Sequence, residues 1–577
     1  MSMKILLIYP YCLEDRLHTE DIRVVPQGVY YVAAVLKANQ YDVEILNWHN
    51  IHETPQKVTE VLSQKKPDII GFSILHANRW GGIEIARIAK KMEPDVKIVF
   101  GGIGATLLWQ HFLTYFPEVD YVVIGEGEYS FLSLVRSLDK KQFDEIENIK
   151  GLAYRKDGQS IKTPAVKFIR NLDEIPNPAR YFEYQHVSLT RGCPADCAFC
   201  GSPQFWDRRV RFHSIDYFLD ELERLYQKGI TFFYVSDDTF TVNKKRVIEI
   251  CKKILEKKLN ITWVAVSRVD TINEEMLYWM RKAGCIQISY GVESGSEKIR
   301  RFLNKDISRQ QIIEAFSVTT RYGILARAYF IYGSPGETWE TIQETIDLIC
   351  EIKPLSVIFY ILDIFPGTKL YDDYKIKHRV TDNIWLNRVE DIMYFETDAK
   401  FSRELILAFG KKLRTSLYEN LPAFAESLDL NDKKELYPSH ADFCSRLAMT
   451  FDHGDYADID AIHGKKRTAE KLYKKALSYF PDPRAYLGLG IIYQKRRIYQ
   501  ESILILTEGL SHFPDDHQLN LCLGISHMHV GAYDKALSFL IPLQSSKQAL
   551  QYIINCYQAL NDTKRASQFL ERLQSMP

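Results

Sequence analysis

Apolar and polar positions alternate along the first 140 residues in blocks of two lengths. The short blocks are rich in β-branched and other apolar residues, and they predict strands at Lys4–Tyr9, Tyr41–Leu46, Asp68–Ser73, Lys97–Phe100 and Tyr121–Ile124. The longer blocks between them predict helices, for example at Gly28–Ala38, Gly82–Met92 and Glu128–Ser137. Because strands that alternate with helices form parallel sheets with helices on both faces, we expect an α/β domain over residues 1–140.

Glycine and other small residues collect where these predicted strands end. The clusters are Gly71-Phe72-Ser73, Gly101-Gly102-Ile103-Gly104 and Gly125-Glu126-Gly127-Glu128. Ligands of open parallel sheets bind beyond the carboxyl ends of the strands, and glycine lets a ligand approach the backbone closely. The residues expected to contact a cofactor here are Gly71, Ser73, Gly101, Gly102, Gly125 and Glu126. The alternative is that all three clusters are ordinary strand-to-helix turns.

A second region of alternating strands and helices follows a short connection. Residues 141–185 contain three prolines and no clear period, which predicts a linker with a small amount of strand. Residues 186–375 contain six candidate strands: His186–Thr190, Phe232–Ser236, Thr262–Val266, Gln287–Tyr290, Arg327–Tyr332 and Ser356–Ile361. Six β/α units predict a partial (β/α)6 barrel whose site lies on its C-terminal face.

The rest of the chain is predicted to be helical. Residues 376–465 are mixed and mostly helical, and no function is readable there. Residues 466–577 contain an internal repeat, since Phe480-Pro481 recurs as Phe513-Pro514 and Leu489-Gly490 recurs as Leu523-Gly524, 33 and 34 residues later. A helix–turn–helix period of 34 residues is the pattern of tetratricopeptide (TPR) repeats, which predicts an all-α, TPR-like C-terminal region.

Composition narrows the possible classes of protein. Lys+Arg and Asp+Glu number 74 each in the 577 residues, so no overall charge draws the chain to nucleic acid or to an anionic membrane. No apolar stretch of about 18 residues predicts a membrane span, and the apolar run at the N-terminus stops at Pro10, too early for a signal peptide. Ten cysteines, of which three are clustered, suit a reducing compartment, so we expect a cytoplasmic protein.

The clustered cysteines form the clearest chemical motif. The run Arg191-Gly192-Cys193-Pro194-Ala195-Asp196-Cys197-Ala198-Phe199-Cys200 has the spacing Cys-x3-Cys-x2-Cys. Three thiolates on a short loop can bind three irons of a cubane [4Fe–4S] cluster and leave the fourth iron open to a small molecule. A structural zinc site is the alternative, but zinc requires a fourth close ligand and the nearest downstream histidine is His213. Three unrelated thiols are the other alternative.

This run resembles the radical S-adenosylmethionine (SAM) superfamily, in which such a motif follows the first barrel strand, as it follows His186–Thr190 here. The resemblance implies that Cys193, Cys197 and Cys200 hold a [4Fe–4S] cluster. It further implies that the open iron chelates the amino and carboxylate groups of SAM, and that an electron from the cluster cleaves SAM to a 5′-deoxyadenosyl radical. The radical then abstracts hydrogen from a substrate.

Further segments follow the successive barrel strands in the order of that superfamily. They are Ser236-Asp237-Asp238-Thr239-Phe240, Ser267-Arg268-Val269-Asp270, Gly291-Val292-Glu293-Ser294-Gly295-Ser296 and Gly333-Ser334-Pro335-Gly336-Glu337-Thr338. The resemblance implies SAM contacts from Ser236, Asp237, Asp238, Arg268, Glu293, Ser294 and Gly333. Arg268 could instead form a surface ion pair, and Glu293 could instead cap the following helix.

The order of the domains adds cobalamin to this resemblance. A Rossmann-like domain ahead of a radical SAM barrel resembles the cobalamin-binding (B12-binding) subfamily, and Val25–Ala34 and the two later glycine clusters match it. One feature departs from it: many cobalamin domains carry Asp-x-His-x-x-Gly after the first strand, whereas Asn47–His52 follows the second strand and lacks the Asp and Gly. Cobalamin would then have no histidine below its cobalt, and His49 is predicted to be a loop residue.

Three functions remain in competition. The first is a cobalamin-dependent radical SAM enzyme, for which methyl transfer to an unactivated carbon is the best single expectation: one SAM methylates cobalt and a second supplies the radical. The second is a cobalamin-independent radical SAM enzyme whose first domain is a lid. The third is a TPR-based scaffold. The predicted partners are an organic substrate, an external one-electron donor and, through the TPR-like region, another protein or a second copy of this chain.

Overall fold

The computed structural model describes residues 3–13, 24–50 and 54–576. By their internal contacts these residues form two compact units. One comprises Met1–Ile312, Ala328–Asp347 and Val357–Lys411, and the other comprises Ile313–Arg327, Leu348–Ser356 and Lys412–Pro577. Within the described ranges, no helix is long and apolar enough to cross a membrane.

The N-terminal domain is an α/β sheet, as the alternating pattern predicts. Its strands are β1 (Lys4–Tyr9), β2 (Asp42–Asn47), β3 (Ile69–Ser73), β4 (Lys97–Gly101), β5 (Tyr121–Val123), β6 (Leu152–Lys156) and β7 (Gln159–Lys162). Its helices are α1 (Gln27–Ala38), α2 (Pro55–Lys65), α3 (Arg79–Met92), α4 (Ile103–Leu107), α5 (Trp109–Tyr115) and α6 (Glu128–Asp139). The sheet order is β2-β1-β3-β4-β5-β6-β7, and the first five strands are parallel.

Helices cover both faces of this sheet because successive side chains of a strand point to opposite sides. In β1, Ile5 and Leu7 enter the core formed with α1 and α6, while Leu6 and Ile8 enter the core formed with α2, α3 and α5. The all-round apolar character of β1 is typical of a strand that is buried on both faces.

The sheet extends further along the chain than the alternating pattern predicts. β6 pairs antiparallel with β5 and β7 pairs antiparallel with β6, so the range 141–185, which the sequence predicts as a linker, contributes two strands to the first sheet. The hairpin turns at Asp157-Gly158, where both residues have positive φ (51° and 78°). Asp-Gly between two short apolar runs is a typical hairpin signal.

The second sheet has the six predicted strands. The elements of this region are β8 (His186–Val187), β9 (Thr190–Arg191), β10 (Arg211–Phe212), β11 (Phe232–Val235), β12 (Thr262–Ser267), β13 (Cys285–Glu293), β14 (Leu325–Tyr332) and β15 (Ser356–Ile361), with α7 (Ser202–Trp206), α8 (Ile215–Gln227), α9 (Lys244–Glu256), α10 (Glu274–Lys282), α11 (Glu297–Phe302), α12 (Arg309–Arg321) and α13 (Trp339–Ile352). The sheet order is β15-β14-β13-β12-β11-β8, which confirms a partial barrel. The predicted first strand is split, because Thr190 belongs to β9 and pairs with β10 instead.

The remaining elements are a small hairpin and a series of helices. They are β16 (Asp363–Ile364), β17 (Ile392–Met393), α14 (Lys369–His378), α15 (Arg403–Glu426), α16 (Tyr437–Asp452), α17 (Lys465–Tyr479), α18 (Pro483–Lys495), α19 (Tyr499–His512), α20 (His517–His529), α21 (Tyr533–Leu540), α22 (Lys547–Ala559) and α23 (Thr563–Ser575).

The C-terminal helices repeat in structure as well as in sequence. Asp482 caps α18 and Asp516 caps α20 through the same side-chain contacts to backbone amides. A Cβ on Gly490 would lie 2.6 Å from Leu506, and a Cβ on Gly524 would lie 2.6 Å from Leu540, so each glycine admits the side chain of the next helix. These equivalences agree with a 34-residue repeat, and the assignment of the repeat to the TPR class remains a prediction.

Candidate functional site

The three clustered cysteines lie on one loop that is closed at its base. Residues 192–210 leave β9 and return in β10, and the two strands pair antiparallel with Arg191 opposite Arg211. Gly192 lies at the neck of this loop with a φ of 99°, and a Cβ there would lie 2.0 Å from the carbonyl oxygen of Arg209. Only glycine fits this position, so the neck fixes the chain directly before Cys193.

The thiols of this loop are partly buried and lie near one another. Burial raises the pKa of Cys200 to about 12, with smaller contributions in the same direction from the neighbouring Cys197 and Cys193. Burial also raises the pKa of Cys197, while the ammonium group of Lys305 lowers it. Cys193 Sγ lies 3.4 Å from Thr239 Oγ1, at the end of β11. Since bound metal stabilises thiolates, this set of desolvated sulfurs fits an iron–sulfur cluster.

The arrangement of the sulfurs differs from a single-ion site. Among residues 3–13, 24–50 and 54–576, no group of three or more His, Cys, Asp and Glu side chains converges as the ligands of one metal ion do. In a cubane cluster each cysteine binds a different iron, so the three sulfurs need not converge. His213, the candidate fourth zinc ligand, instead contacts Tyr31 and Asp173.

The turn after β11 forms hydrogen bonds with the chain on both sides of the three cysteines. Asp237 is 2 % exposed, and its Oδ1 accepts hydrogen bonds from Ser188 Oγ and Thr190 N, both at 2.9 Å. Burial raises the pKa of Asp237 to about 7 because no cation compensates its charge. Asp238 accepts a hydrogen bond from Ser202 Oγ at 2.7 Å, just beyond Cys200. Ser236 is exposed, and its Oγ lies 2.8 Å from His186 Nδ1.

The turns after β12 and β13 bring two cations towards Cys197. Arg268 pairs with Asp270 at 2.8 Å, and its side chain is 13 % exposed. Lys305 is buried and pairs with Glu293 at 2.8 Å. Both Arg268 and Lys305 lower the pKa of Cys197, after the dominant effect of burial, which raises it. Arg268 therefore forms an ion pair, which is the alternative to a SAM contact, and this pair lies next to the cluster loop.

Glu293 occupies a constrained position. Its φ of 66° is left-handed, which costs a residue other than glycine about 1–3 kcal/mol. Its carboxylate folds back over Gly291, where a Cβ would lie 2.3 Å from Oε1 of Glu293 and 2.7 Å from Nζ of Lys305. Glu293 therefore holds Lys305 and does not cap the following helix. Ser294 is buried, and its hydroxyl accepts a hydrogen bond from Ser296 N at 3.1 Å.

The turn after β14 is held by one buried carboxyl group. Gly333 has a φ of 82°, and its amide donates a hydrogen bond to Glu337. The amide of Ser334 donates to the same oxygen at 3.2 Å. Burial raises the pKa of Glu337 to about 7. This turn therefore presents the backbone of Gly333 at the C-terminal end of the barrel sheet.

Two turns of the N-terminal sheet pack tightly at its carboxyl edge. Gly102 has a φ of 92°, and a Cβ there would lie 2.9 Å from the carbonyl oxygen of Ile74. A Cβ on Gly104 would lie 2.5 Å from the carbonyl carbon of Leu75. Ser73 and Gly101 end β3 and β4 in register with each other. Gly102 and Gly104 thus admit the backbone of the neighbouring turn, so the two turns pack directly against each other at this edge.

Gly71 lies inside β3, which ends at Ser73 as the sequence predicts. A Cβ on Gly71 would lie 2.7 Å from Leu7 Cδ2 and 3.4 Å from Phe131 Cζ. The glycine therefore admits neighbouring apolar side chains within the core, and its role as a cofactor contact stays a prediction.

The turn after β5 faces the base of the cluster loop. Gly125 has a φ of 77°, and its amide donates to Thr106 Oγ1 at 3.0 Å. The side chain of Glu126 is 1 % exposed and pairs with Arg191 at 2.7 Å and with Arg211 at 2.9 Å. Its carboxylate is thus occupied by protein groups, whereas the sequence predicts a cofactor contact.

The sequence does not identify four groups that the structure places at this site. Thr239 belongs to the segment Ser236–Phe240 after β11, which the sequence predicts to contact SAM, and that segment is the available signal. Arg191 opens the cysteine run, but nothing local shows that its side chain pairs with Glu126. Lys305 and Arg211 reach the site only through tertiary packing. His49 lies in a short 3-10 segment after β2, Trp48–Asn50, in agreement with a loop histidine; Ile51 and His52 of the same run lie outside the described residues.

Comparison with known families gives two matches on this chain. Residues 187–349 match the model of the radical SAM superfamily, and residues 21–135 match the model of the B12 binding domain. The first match covers the cysteine loop and the barrel strands β8 to β14. The second begins after β1 and covers α1, the strands β2 to β5 and most of α6.

Individual relatives agree with these matches. Over 382 residues the chain is 34 % identical to an uncharacterized methyltransferase of Pyrococcus horikoshii, which covers 64 % of this chain and 83 % of the relative. Over 399 residues it is 31 % identical to the anaerobic magnesium-protoporphyrin IX monomethyl ester cyclase of Rubrivivax gelatinosus, which covers 66 % of this chain and 71 % of the relative.

A solved structure shares the fold. The radical S-adenosylmethionine methyltransferase TsrM of Kitasatospora setae, with cobalamin and a [4Fe–4S] cluster bound, superimposes with a TM-score of 0.58 at 15 % identity. The superposition covers 82 % of this chain and 100 % of that chain.

Proposed function

The chain belongs to the radical SAM superfamily, in the form that carries an N-terminal B12-binding domain, and from this premise we propose that it transfers a methyl group to an unactivated carbon. Its cofactors are a [4Fe–4S] cluster, SAM and cobalamin. One observation carries the proposal: the loop of Cys193, Cys197 and Cys200 closes on a two-stranded base that is joined to the glycine-rich edge of the B12-binding domain. The loci proposed for the two metal cofactors thus belong to one compact unit.

We assign the cluster to the three clustered cysteines and SAM to the turns around them. When bound, the cluster supplies the electron that cleaves SAM to a 5′-deoxyadenosyl radical, and cobalamin supplies the methyl group. The protein's part is to place these groups and to exclude water. Lys305 and Arg268 are the cations nearest to Cys197, and we assign to them the carboxylate of SAM.

The remaining predicted SAM contacts divide into exposed and structural groups. Ser236 and Asp238 are exposed at the end of β11 and are available to the amino group of SAM. Asp237, Glu293 and Ser294 are buried and occupied by protein donors, so we assign to them the support of the neighbouring turns. Gly333 offers its backbone to the adenine side of SAM.

We assign cobalamin to the carboxyl edge of the first sheet. Ser73 and Gly101 end neighbouring strands there in register, and Gly102 and Gly104 let the turns after these strands pack backbone to backbone. Such an edge fits a large planar cofactor that needs close backbone contact.

The same assignment predicts the other molecules that the protein needs and its location in the cell. A radical SAM enzyme needs an organic substrate and an external electron donor. We propose a cytoplasmic location because an iron–sulfur cluster held by Cys193, Cys197 and Cys200 must be reduced to act, which suits a reducing compartment. We also propose that the TPR-like helices bind a protein partner or a second copy of this chain, as helical repeats present extended binding surfaces.

The test is metal analysis of the full chain. The protein is purified without oxygen from cells supplied with iron and hydroxocobalamin, and iron, sulfide and cobalt are measured on one sample. About four irons with stoichiometric cobalt are expected. The same iron content without cobalt would contradict the cobalamin assignment, and tightly held zinc with little iron would contradict the whole proposal.

A further inference from the structure

A buried group of four charges joins the B12-binding domain to the base of the cluster loop. Glu126 Oε1 and Arg191 Nη1 are 2.7 Å apart, and Glu128 Oε1 and Arg191 Nη2 are 2.6 Å apart. Arg211 Nη1 lies 2.9 Å from both carboxylate oxygens of Glu126. The side chains of all four are 13 % exposed or less. Two carboxylates and two guanidinium groups give no net charge, which is the condition under which such charges are tolerated in an interior.

Aromatic rings and a backbone amide fix the same group in place. Arg191 lies over the ring of Tyr31, 4.8 Å from its centroid. Arg211 lies 4.9 Å from the ring of Phe168 and 5.2 Å from the ring of Trp206. The amide of Ile169 donates to Glu126 Oε2 at 2.7 Å. Glu126 thus accepts hydrogen bonds from three separate segments of the chain, and neither of its oxygens is left for a ligand.

The two arginines connect this group of charges to both strands at the base of the cluster loop. Arg191 and Arg211 are opposite each other in the strands that bracket residues 192–210, and Arg191 is two residues before Cys193. The neck at Gly192 is already in close contact with the backbone of Arg209, so the loop cannot absorb a shift of Arg191 by bending there. A displacement of the turn after β5 therefore reaches the cysteines directly.

A second contact ties the far end of the loop to the same domain. A Cβ on Gly201, the residue after Cys200, would lie 3.3 Å from Ile103 Cδ1 in the turn after β4. The loop therefore contacts two of the three turns at the carboxyl edge of the first sheet, one at each end of the cysteine run.

We propose that Glu126 is a positioning residue that fixes the distance and orientation between the cluster and cobalamin, and is not itself a cobalamin contact. The inference rests on the proposed function, since it requires both cofactors. Because Glu126 pairs with both strands of the loop base, the cluster loop and the edge of the B12-binding domain move as one body.

The test uses the full chain with Glu126→Gln, which keeps the shape of the side chain and removes its charge. Lys156→Gln is the matched control, because Lys156 pairs with Glu147 at 2.7 Å on the same domain while both side chains are more than half exposed. Both proteins are loaded with iron, sulfide and hydroxocobalamin. The first readout is the magnetic dipolar coupling between the reduced cluster and the Co(II) form of cobalamin, which reports the distance between them.

For the wild type and the control we expect one narrow distance distribution. For Glu126→Gln we expect unchanged iron and cobalt contents and a broadened distribution. With SAM and dithionite, formation of S-adenosylhomocysteine, which needs both cofactors in register, should fall about 100-fold, the size of effect that a misplacement of about 1 Å produces. Formation of 5′-deoxyadenosine, which needs the cluster but not cobalamin, should fall much less than formation of S-adenosylhomocysteine.

Two outcomes would overturn the proposal. Loss of cobalt at unchanged iron would make Glu126 a cobalamin contact, and an unchanged dipolar coupling would show that the clamp does not set the distance. If the wild type takes up no cobalamin, the proposed function has failed, and the clamp is tested by amide hydrogen exchange on the cofactor-free chain. Faster exchange at residues 190–193 and 209–212 in Glu126→Gln, but not in the control, would support the clamp; equal exchange would refute it.

Discussion

Two buried carboxylates hold the chain at the base of the cluster loop, and their partners differ. Glu126 pairs with two guanidinium groups, which balance its charge. Asp237 accepts hydrogen bonds from a hydroxyl group and from backbone amides, and burial raises its pKa to about 7. Asp237 therefore gains and loses a proton near neutral pH. A buried carboxylate without a cationic partner is thus a pH-sensitive support, and the partner is what distinguishes it from an ion-paired one.

The change expected to have the largest effect removes a cluster ligand and leaves both supports in place. Cys197→Ser replaces a thiolate with a hydroxyl group that binds iron poorly, so we expect loss of the cluster and of all 5′-deoxyadenosine formation. Iron and sulfide analysis, with low-temperature electron paramagnetic resonance, measures the loss.

Cys251→Ser, at a buried thiol of α9 outside the cluster loop, is the control and should keep its iron. Partner binding by the helical tail should be the same in both variants. A Cys197→Ser protein with wild-type SAM cleavage would remove the basis for assigning the cluster to this loop.

The change with the next largest expected effect removes a cation near Cys197. Lys305→Met removes the buried ammonium group that pairs with Glu293. A hydrogen bond to a charged group contributes about 1.5–3 kcal/mol, so the dissociation constant of SAM should rise roughly 10- to 100-fold. Equilibrium dialysis with the reconstituted protein measures it.

Two companion variants separate binding from folding. Glu293→Gln combined with Lys305→Met removes the unpaired carboxylate, so it should fold normally and still bind SAM weakly. Lys298→Met removes an exposed lysine that donates to the carbonyl oxygen of Gly336 at 3.1 Å, and should bind SAM as the wild type does. If the double variant binds SAM with normal affinity, Lys305 only neutralises Glu293 and does not bind SAM.

The smallest of these effects concerns the pH dependence of Asp237. Its pKa in the folded chain is raised to about 7 from an unfolded value of 3.8. The unfolded chain therefore loses this proton first, and stability falls as pH rises from about 4 to about 7. Asp237→Asn keeps the acceptor oxygen and cannot lose a proton, so it should be the more stable protein at pH 8, by at most about 4 kcal/mol.

Thermal unfolding of the wild type and of Asp237→Asn across this pH range measures the difference. Glu337 also has a raised pKa, of about 7, and its contribution cancels in the comparison of the two proteins. The pKa of Glu221, which burial and then other groups including Asp237 shift to about 8, should fall in Asp237→Asn because one neighbouring charge is removed. Asp216→Asn, at an exposed position of α8, should leave the pH profile unchanged. Parallel profiles for wild type and Asp237→Asn would mean that Asp237 is ionised throughout.

Local patterns in the sequence predict most of the fold. The period of apolar residues locates the strands of both sheets, and the spacing of Cys193, Cys197 and Cys200 locates the cluster loop without any tertiary information. The hairpin of β6 and β7 was also readable from Asp157-Gly158, but the prolines around it favour a linker.

The supports of the site are not local, which is why the sequence does not reveal them. Glu126 lies 65 residues before Arg191 and 85 residues before Arg211 along the chain. In the sequence its glycine-rich setting is that of a ligand-binding turn, and only the packed structure shows that two arginines occupy its carboxylate. Lys305 follows a helix and a turn, and it pairs with Glu293, whose left-handed conformation no local pattern predicts.

The most direct test of the central claim is product analysis with SAM alone. The reconstituted chain, loaded with hydroxocobalamin, is incubated without oxygen with SAM and dithionite, and both nucleoside products are quantified. We predict 5′-deoxyadenosine that disappears in Cys197→Ser, together with S-adenosylhomocysteine that disappears when cobalamin is omitted. The absence of both products from protein with a full complement of iron and cobalt would contradict the assignment of this chain as a cobalamin-dependent radical SAM methyltransferase.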